Sequence, residues 1–335
     1  MLGEKLLIKL WDTLADRGVS SLLTPWQILR EADARIEARR RELIILADAE
    51  RKAEDIRKGN RRLLGDGTIS ETGDKEVATL SGGMETVENA AERRQRSNRI
   101  REEVNINKAI IHAEQALTED PQDPPDRDID DDWINRWKEY ASKVSADDLQ
   151  QLWGNLLAGE VKSPGSYSLR TLDFLRNISK NEAQLIEKAA QFNIAGCIAR
   201  EEEEIMAKEG ITFSRLLSLQ ELGVIVGVEA IGMTREFSST IEESFQQALL
   251  SNGKVLLVTH ADVEKKLELS SYGLSSVGEE ILSLGSFQPN QEYLVSIANK
   301  FVNKGFTVKL CDWTKVDEKR GRISNAVEIE ADAQQ

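Results

Sequence analysis

The sequence predicts a mainly α protein with a C-terminal α+β part, and three observations carry that prediction. Apolar residues recur at three- and four-residue steps through two long N-terminal stretches. A tryptophan-bearing block from Trp133 to Phe192 alternates capping residues with apolar helical faces. After Cys197 the pattern changes to short β-branched runs separated by helices. The expected architecture is a coiled-coil-like hairpin of long N-terminal helices, a middle helical bundle, and a winged-helix-like or mixed α/β C-terminal domain.

In chain order, Leu2, Leu6, Leu7, Leu10, Trp11 and Leu14 make one stripe, which predicts a short amphipathic helix ending at Gly18. Lys5 and Lys9 flank it. Two lysines are a poor electrostatic anchor, so docking on protein is expected, with weak contact to a membrane surface as the alternative. From Trp26 to about Gly59 a single helix is predicted, about 45 Å long. Leu29, Ala32, Ile36, Leu43, Leu46 and Ala53 follow heptad steps along it, with Arg39 and Glu50 interrupting the seam. Such a stripe needs a partner from this chain or from another copy. A homo-oligomer is therefore expected, with Leu29, Ile36, Leu43 and Leu46 at the interface.

Residues 59 to 85 hold Gly59, Gly65, Gly67, Gly73, Gly82 and Gly83 among small polar residues, which reads as a flexible loop. Helical spacing returns from about Glu85 to Leu117, through Ile100, Val104, Ile106, Ile110, Ile111 and Ala113. The two long segments are expected to pair antiparallel, with the loop at the tip. Thr118 to Asp132 carries three prolines in an acidic run and cannot continue a helix. A domain boundary is expected there. The predicted divisions are 1–120, 121–195, 196–315 and a flexible tail, 316–335.

In the tryptophan block, Trp133 and Trp137 are an i, i+4 pair. Ser145 with Asp148 reads as an N-cap and an acid in the first turn. Leu149, Leu152, Trp153, Leu156 and Leu157 form the face that follows, and Gly159 is the expected stop. Pro164 and Gly165 turn the chain into another helix. Ser179 with Glu182 is a capping box. Trp133, Trp137 and Trp153 are expected to stabilise this domain rather than contact a ligand. Beyond Cys197, helices are predicted near 213–222, 275–284 and 290–303, and strands near 224–228, 255–259, 267–272 and 306–311.

Three stretches carry a resemblance: READARIEARR from Arg30, QRSNRIREEV from Gln95, and LWGNLLAGEVKSPGSYSLRTLDFL from Leu152. In this order they resemble the uncharacterised bacterial family called domain of unknown function 2806, over most of residues 25 to 190. The resemblance implies a bacterial protein, helical on its N-terminal side, and implies no activity. Further on, Leu216, Leu217, Leu219 and Leu222-Gly223-Val224, with the junction Leu274 to Ile281, are similar in pattern to a winged helix. The insertion between Gly232 and Lys254 is longer than a simple wing needs.

Composition narrows the chemistry. The chain has 335 residues, 40% hydrophobic and 30% charged, with a formal net charge of -14. That charge argues against a generally basic nucleic-acid coat and against attraction to anionic membranes. Cys197 and Cys311 stand far apart, which disfavours a disulfide framework or a zinc site and points to a reducing cytoplasm. No apolar run approaches the roughly 20 residues of a spanning helix. Asp12 and Asp16 interrupt the N-terminal pattern, so no secretory signal is expected. His112 and His260 each lack a ligating or catalytic partner at sequence spacing. No GxxxxGK[ST] or GxGxxG occurs. Glu201 to Glu204 reads as a solvated helix face, since consecutive residues point in different directions. Glu264-Lys265-Lys266 has a carboxylate–lysine grouping used by some nucleases, but no suitably spaced Asp precedes it.

Charge is unevenly placed. Residues 92 to 108 hold six basic residues against three acids, whereas 211 to 285 hold five against ten. Phosphate neutralisation drives nucleic-acid affinity, so the winged region suits protein contact. Nucleic acid, if bound, would meet Arg93, Arg94, Arg96, Arg99 and Arg101; pairing of those arginines with acids is the plainer reading. No catalytic, metal or cofactor residue is assigned, and no cofactor is expected. The leading expectation is a non-enzymatic helical scaffold or sensor that self-assembles and binds another macromolecule, a protein partner first. By analogy alone, such proteins fit phage-defence or mobile-element systems. A nucleic-acid-binding regulator and an enzyme of unrecognised type are the alternatives.

Overall fold

The computed structural model describes residues 3–16, 32–58, 61–63, 69–71, 87–118, 120–229, 233–315 and 321–330. In the second helix it describes the side chains of Ile44, Ile45 and 47–58, and in the third those from Ala91 onward. The chain divides into two compact units, Met1–Leu172 and Asp173–Gln335.

In the first unit, α1 (Glu4–Asp16), α2 (Ala32–Lys58), α4 (Asp131–Ser142) and α5 (Asp147–Lys162) all pack against α3 (Val87–Thr118). The α1 stripe is buried there: Leu6, Leu7, Leu10, Trp11 and Leu14 lose their solvent contact, and Trp11 Nε1 donates to Glu114 at 2.7 Å. Helices α2 and α3 run antiparallel, as expected. Ser97 Oγ donates to the carbonyl of Ala53 at 2.7 Å, and Lys108 meets Glu50 at 2.5 Å. Ala53 and Ile56 bury their apolar surface along this contact. At the tip the glycine-rich stretch is not loop throughout: β1 (Arg61–Leu63) and β2 (Ile69–Glu71) pair antiparallel, with Arg61 opposite Glu71. Of the expected oligomer interface, Leu29 lies outside the described residues. Ile36, Leu43 and Leu46 lie on α2, but their side chains are outside the described ones.

The acidic, proline-bearing segment does not separate the helices before it from those after. It is tied down within the first unit. Lys5 pairs with Asp123 at 2.6 Å, Lys9 Nζ donates to the carbonyls of Pro125 and Arg127 at 2.6 Å, and Lys162 meets Asp120 at 3.1 Å. Asp130 then caps α4 by accepting from the backbone of Asp132 and Trp133. Two local expectations are corrected. The N-cap of α5 is Ala146 and makes no side-chain bond, although Asp147 and Asp148 do occupy the first turn. Gly159 does not stop α5, which continues to Lys162. A Cβ at Gly159 would lie 2.6 Å from the Tyr167 ring, so the glycine admits that ring against the helix.

The second unit holds α7 (Lys180–Ala190), β3 (Cys197–Ala199), a 3-10 turn (Arg200–Glu202), α8 (Glu203–Lys208), α9 (Phe213–Glu221) and β4 (Ile225–Val226). Then come β5 (Thr234–Phe237), β6 (Phe245–Ser251), β7 (Lys254–His260), β8 (Leu267–Leu274), α10 (Ser276–Ser283), α11 (Gln291–Asn303), β9 (Thr307–Lys315) and β10 (Gly321–Ile329). α6 (Leu169–Asn177) spans the division between units. Both sheets are antiparallel. One has the order β3-β8-β4, with β5 also paired to β8; the other is β10-β9-β7-β6. α11 packs on the second sheet and buries Tyr293, Leu294, Ile297 and Phe301. The Ser179–Glu182 capping box is present in full.

The expected flexible tail is a strand in part. β10 pairs with β9 from Gly321–Lys315 to Ile329–Val308 and forms the outer strand of its sheet. Its register slips between Ser324 and Val327, where Asn325 takes φ +52° and its amide donates to Asp312 at 2.6 Å. This is a bulge of the kind that bends one strand of a pair. The strand escapes a hydropathy reading because it is exposed along almost its whole length, so polar residues serve there as well as apolar ones.

Candidate functional site

The arginines singled out by sequence lie on the N-terminal half of α3. Arg94, Arg96, Arg99 and Arg101 are exposed and Arg93 is half-buried. At about 100° per residue they do not share a face. Arg94 and Arg101 lie on one side of the helix, Arg96 and Arg99 on another, and Arg93 toward the side where Ser97 meets α2. Arg96 has Glu92 at 3.8 Å. Glu54 on α2 is held below the usual carboxylate range mainly by Lys58, with smaller help from Arg57 and Arg101. A shallow cleft of about 480 Å³ is lined by Ala91, Arg94, Gln95, Asn98, Arg99 and Glu102. The cluster is therefore partly basic surface and partly helix-to-helix charge pairing.

The three tryptophans are interior residues. Trp133, Trp137 and Trp153 are buried, and Trp137 Nε1 donates to the carbonyl of Trp153 at 2.8 Å. Tyr140 meets Trp153 edge-on with centroids 5.9 Å apart. Glycine sets the spacing: a Cβ at Gly154 would lie 2.5 Å from His112 Cβ and 2.6 Å from the Ala109 carbonyl, so α5 lies close against α3 there. Buried Glu160 clamps the turn that follows. Its carboxylate accepts backbone N–H groups from Gly165, Tyr167 at 3.2 Å, and Ser166. Burial still pushes its carboxyl above the ordinary value, against those bonds and the charge of Arg127.

In the second unit, α9 buries Leu216 and Leu219 and presents Phe213, Ser214, Arg215 and Glu221 to solvent. One base and one acid flank an exposed ring.

The acidic tetrad is a solvated face at Glu201, Glu203 and Glu204, as expected, but not at Glu202. Glu202 is buried, accepts from Ser296 at 2.8 Å and pairs with Lys300 at 2.8 Å. Lys300 also reaches Glu201 at 3.5 Å. Glu203 accepts from the hydroxyl of Tyr272 at 2.9 Å, while Arg200 lies 5.5 Å over that ring. Burial first, then Glu203, pushes the Tyr272 phenol up to about 12. Buried Tyr293 accepts the N–H of Ala199 at 2.6 Å, and desolvation holds its hydroxyl well above its usual range. Both phenols stay protonated across physiological pH and act as fixed hydrogen-bonding groups. The sequence signal for this cluster is weak, because Lys300 and Ser296 follow the tetrad by more than ninety residues.

The remaining candidates are ordinary. His112 lies 3.8 Å from Asp147, and His260 Nδ1 accepts from Asp262 N at 3.0 Å beside Phe306. Lys265 lies over the Phe306 ring and Lys266 pairs with Glu236. Burial pushes both cysteine thiols up, away from thiolate chemistry. Among the described residues no group of three His, Cys, Asp or Glu is placed to hold a metal, and no helix is long and apolar enough to cross a membrane.

Comparison with known proteins agrees with the resemblance read from the sequence. Residues 89–205 match the family described as "Protein of unknown function (DUF2806)". The match runs from within α3 to within α8 and therefore takes in the QRSNRIREEV and LWGNLLAGEVKSPGSYSLRTLDFL stretches; the segment Arg30–Arg40 lies outside it. No curated protein and no solved structure matches the chain.

Proposed function

We propose that this chain is a non-enzymatic assembly protein that associates with itself through its long N-terminal helices and uses its C-terminal unit to bind a protein partner. One observation carries the second half of that reading. From α7 to β8 the unit runs α7, β3, a 3-10 turn, α8, α9, β4, β5, β6, β7 and β8, and β8 lies between β3 and β4 in its sheet. The order β3-α8-α9-β4-β8 supports a winged-helix reading, in which α8 and α9 would make the helix-turn-helix pair. Between β4 and β8, β5 pairs with β8, whereas β6 and β7 belong to the second sheet beside β9. On a nucleic-acid reader the α9 surface would carry several bases; here it carries Phe213, Ser214, Arg215 and Glu221. A large exposed ring beside few charges is the composition of a protein-contact centre.

The test compares the full-length chain with its Phe213→Asp variant in affinity capture from the source cells. The proposal expects one protein retained by the parent chain and lost by the variant, with folding unchanged by circular dichroism. Equal capture by both would remove α9 from the reading.

A second reading keeps nucleic acid as the partner, on the strength of the exposed Arg94, Arg99 and Arg101. Fluorescence anisotropy of the full-length chain with labelled DNA and RNA duplexes across a salt series separates the two. Binding that weakens steeply with salt and is lost on changing those three arginines to Glu would favour this second reading.

A further inference from the structure

We propose that the cleft between α2 and α3 binds a small phosphate-bearing molecule, and that its phosphate is held between the guanidinium groups of Arg51 and Arg101. The site is separate from the α9 surface and needs no second copy of the chain.

The two helices make the cleft. Ala47, Glu50, Arg51 and Glu54 line it from α2, at the spacing that a helix turns to one side. Arg101, Val104 and Asn105 line it from α3 on the same rule, and Ser145, in the link between α4 and α5, completes the lining. Its volume is about 450 Å³, within the range of about 300–1,000 Å³ that small-molecule sites occupy. Val104 and Asn105 are buried, so the α3 wall is fixed. The Asn105 amide donates to the Ser142 carbonyl at 2.7 Å, and its oxygen accepts from Gln150 at 3.2 Å.

The acids of the cleft are already matched. Glu50 pairs with Lys108 at 2.5 Å. Glu54 pairs with Lys58 at 2.8 Å and with Arg57 at 3.7 Å. The bases are not matched: among the described residues neither Arg51 nor Arg101 has a hydrogen bond or an ion pair. Arg51 has Glu54 three residues on, a spacing at which helix side chains meet, yet Glu54 is taken by its C-terminal neighbours. Arg101 adds only the smallest share to the field that keeps Glu54 ionised. The Ser145 hydroxyl is likewise without a partner among the described residues. Two guanidinium groups and a hydroxyl, all donors, therefore line one cleft with their hydrogen-bonding capacity unused.

This donor set selects the ligand. A guanidinium presents paired N–H groups at the spacing of two oxygens on a phosphate or carboxylate. A carboxylate is satisfied by one such fork. A phosphate carries more charge and a third oxygen, so it can engage forks from both helices and the hydroxyl as well. Glu50 and Glu54 beside the arginines suit a single phosphate group rather than a run of them. A nucleic-acid backbone laid along the cleft would bring its next phosphate against a carboxylate.

Isothermal titration calorimetry on the full-length chain tests the site, with inorganic phosphate as the probe and acetate and a DNA duplex as the other arms. The proposal expects one phosphate bound per chain and weaker binding of acetate. Arg51→Gln and Arg101→Gln should each weaken phosphate binding about tenfold or more, since each removes a charge-assisted pair. Glu54→Gln removes a like charge and should tighten it, an effect that loss of folding cannot imitate. Circular dichroism confirms that each variant keeps its helix content. Phosphate binding unchanged in both arginine variants, or no tighter in Glu54→Gln, would place the anion elsewhere and overturn the site. Acetate held as tightly as phosphate, or a duplex bound where free phosphate is not, would overturn the ligand class. A parent chain that gives no heat with phosphate overturns the proposal outright.

Discussion

Glu160 shows how one side chain organises its surroundings. Its carboxylate holds the turn at Pro164 and Gly165 by accepting N–H groups that would otherwise be buried without partners. Removing that acceptor in Glu160→Ala should cost about 1–3 kcal/mol, seen as a lowered melting temperature. The pH dependence has a definite sign. Because burial raises the carboxyl above its ordinary 4.5, the folded state holds the proton more tightly than the unfolded chain. The associated stability is complete below pH 4.5 and is lost as pH rises through the folded value. Glu160→Gln, which has no proton to lose, should flatten this part of the melting-temperature profile; an unchanged profile would show that Glu160 does not titrate there. The sequence marked the glycines around this site but not their reason. Gly159 reads as a helix stop, yet what it answers is the ring of Tyr167, a contact that pattern alone cannot supply.

Among the elements, those with a strong apolar period were legible. α1, α3, α5, α7 and α11 follow three- and four-residue spacing that a helix turns to one side. The strand at Lys254–His260 was equally plain, being rich in β-branched residues and leucine, and that at Leu267–Leu274 showed through its alternating leucines Leu267 and Leu269 and its Tyr272. β5, beginning Thr234-Arg235-Glu236, was not, since it lies exposed and owes its extended form to pairing with β8. Trp153 packs α5 against α4, edge-on to the ring of Tyr140. Trp153→Ala would leave a cavity beside Tyr140 and cost about 3–5 kcal/mol, measured by chemical denaturation. A variant of unchanged stability would contradict the interior role assigned to that ring.

At the scale of the molecule, composition placed a boundary at the prolines near 118–132, whereas packing divides the chain at 172/173. Prolines exclude a helix locally, but they say nothing about whether lysines elsewhere will hold the segment down, as Lys5, Lys9 and Lys162 do. The candidate site was legible to the same limited degree. The arginines could be counted along the chain, yet their spread around α3 follows from helical phase and from which side meets α2. The Glu202 cluster was hidden because its partners come from α11. Lys300→Met should leave the buried Glu202 carboxylate without its cation and destabilise the second unit by about 1–3 kcal/mol. Differential scanning calorimetry checks it, and an unmoved transition would show that Ser296 alone suffices.

The bulge at Asn325 has a bearing on solubility. A sheet whose last strand is regular offers the next molecule a row of open amide and carbonyl groups, the template from which fibrils grow. β10 occupies that outermost place, with Ile323 and Val327 exposed along it. The slipped register bends the strand in its middle, so a straight newcomer could follow it for only a few residues. Deleting Asn325 would straighten the strand without removing an apolar residue. The prediction is a chain that folds but precipitates or binds thioflavin T on standing, where the parent remains clear. A deletion variant that stays monodisperse by light scattering would show that β10 is guarded by something other than its bend.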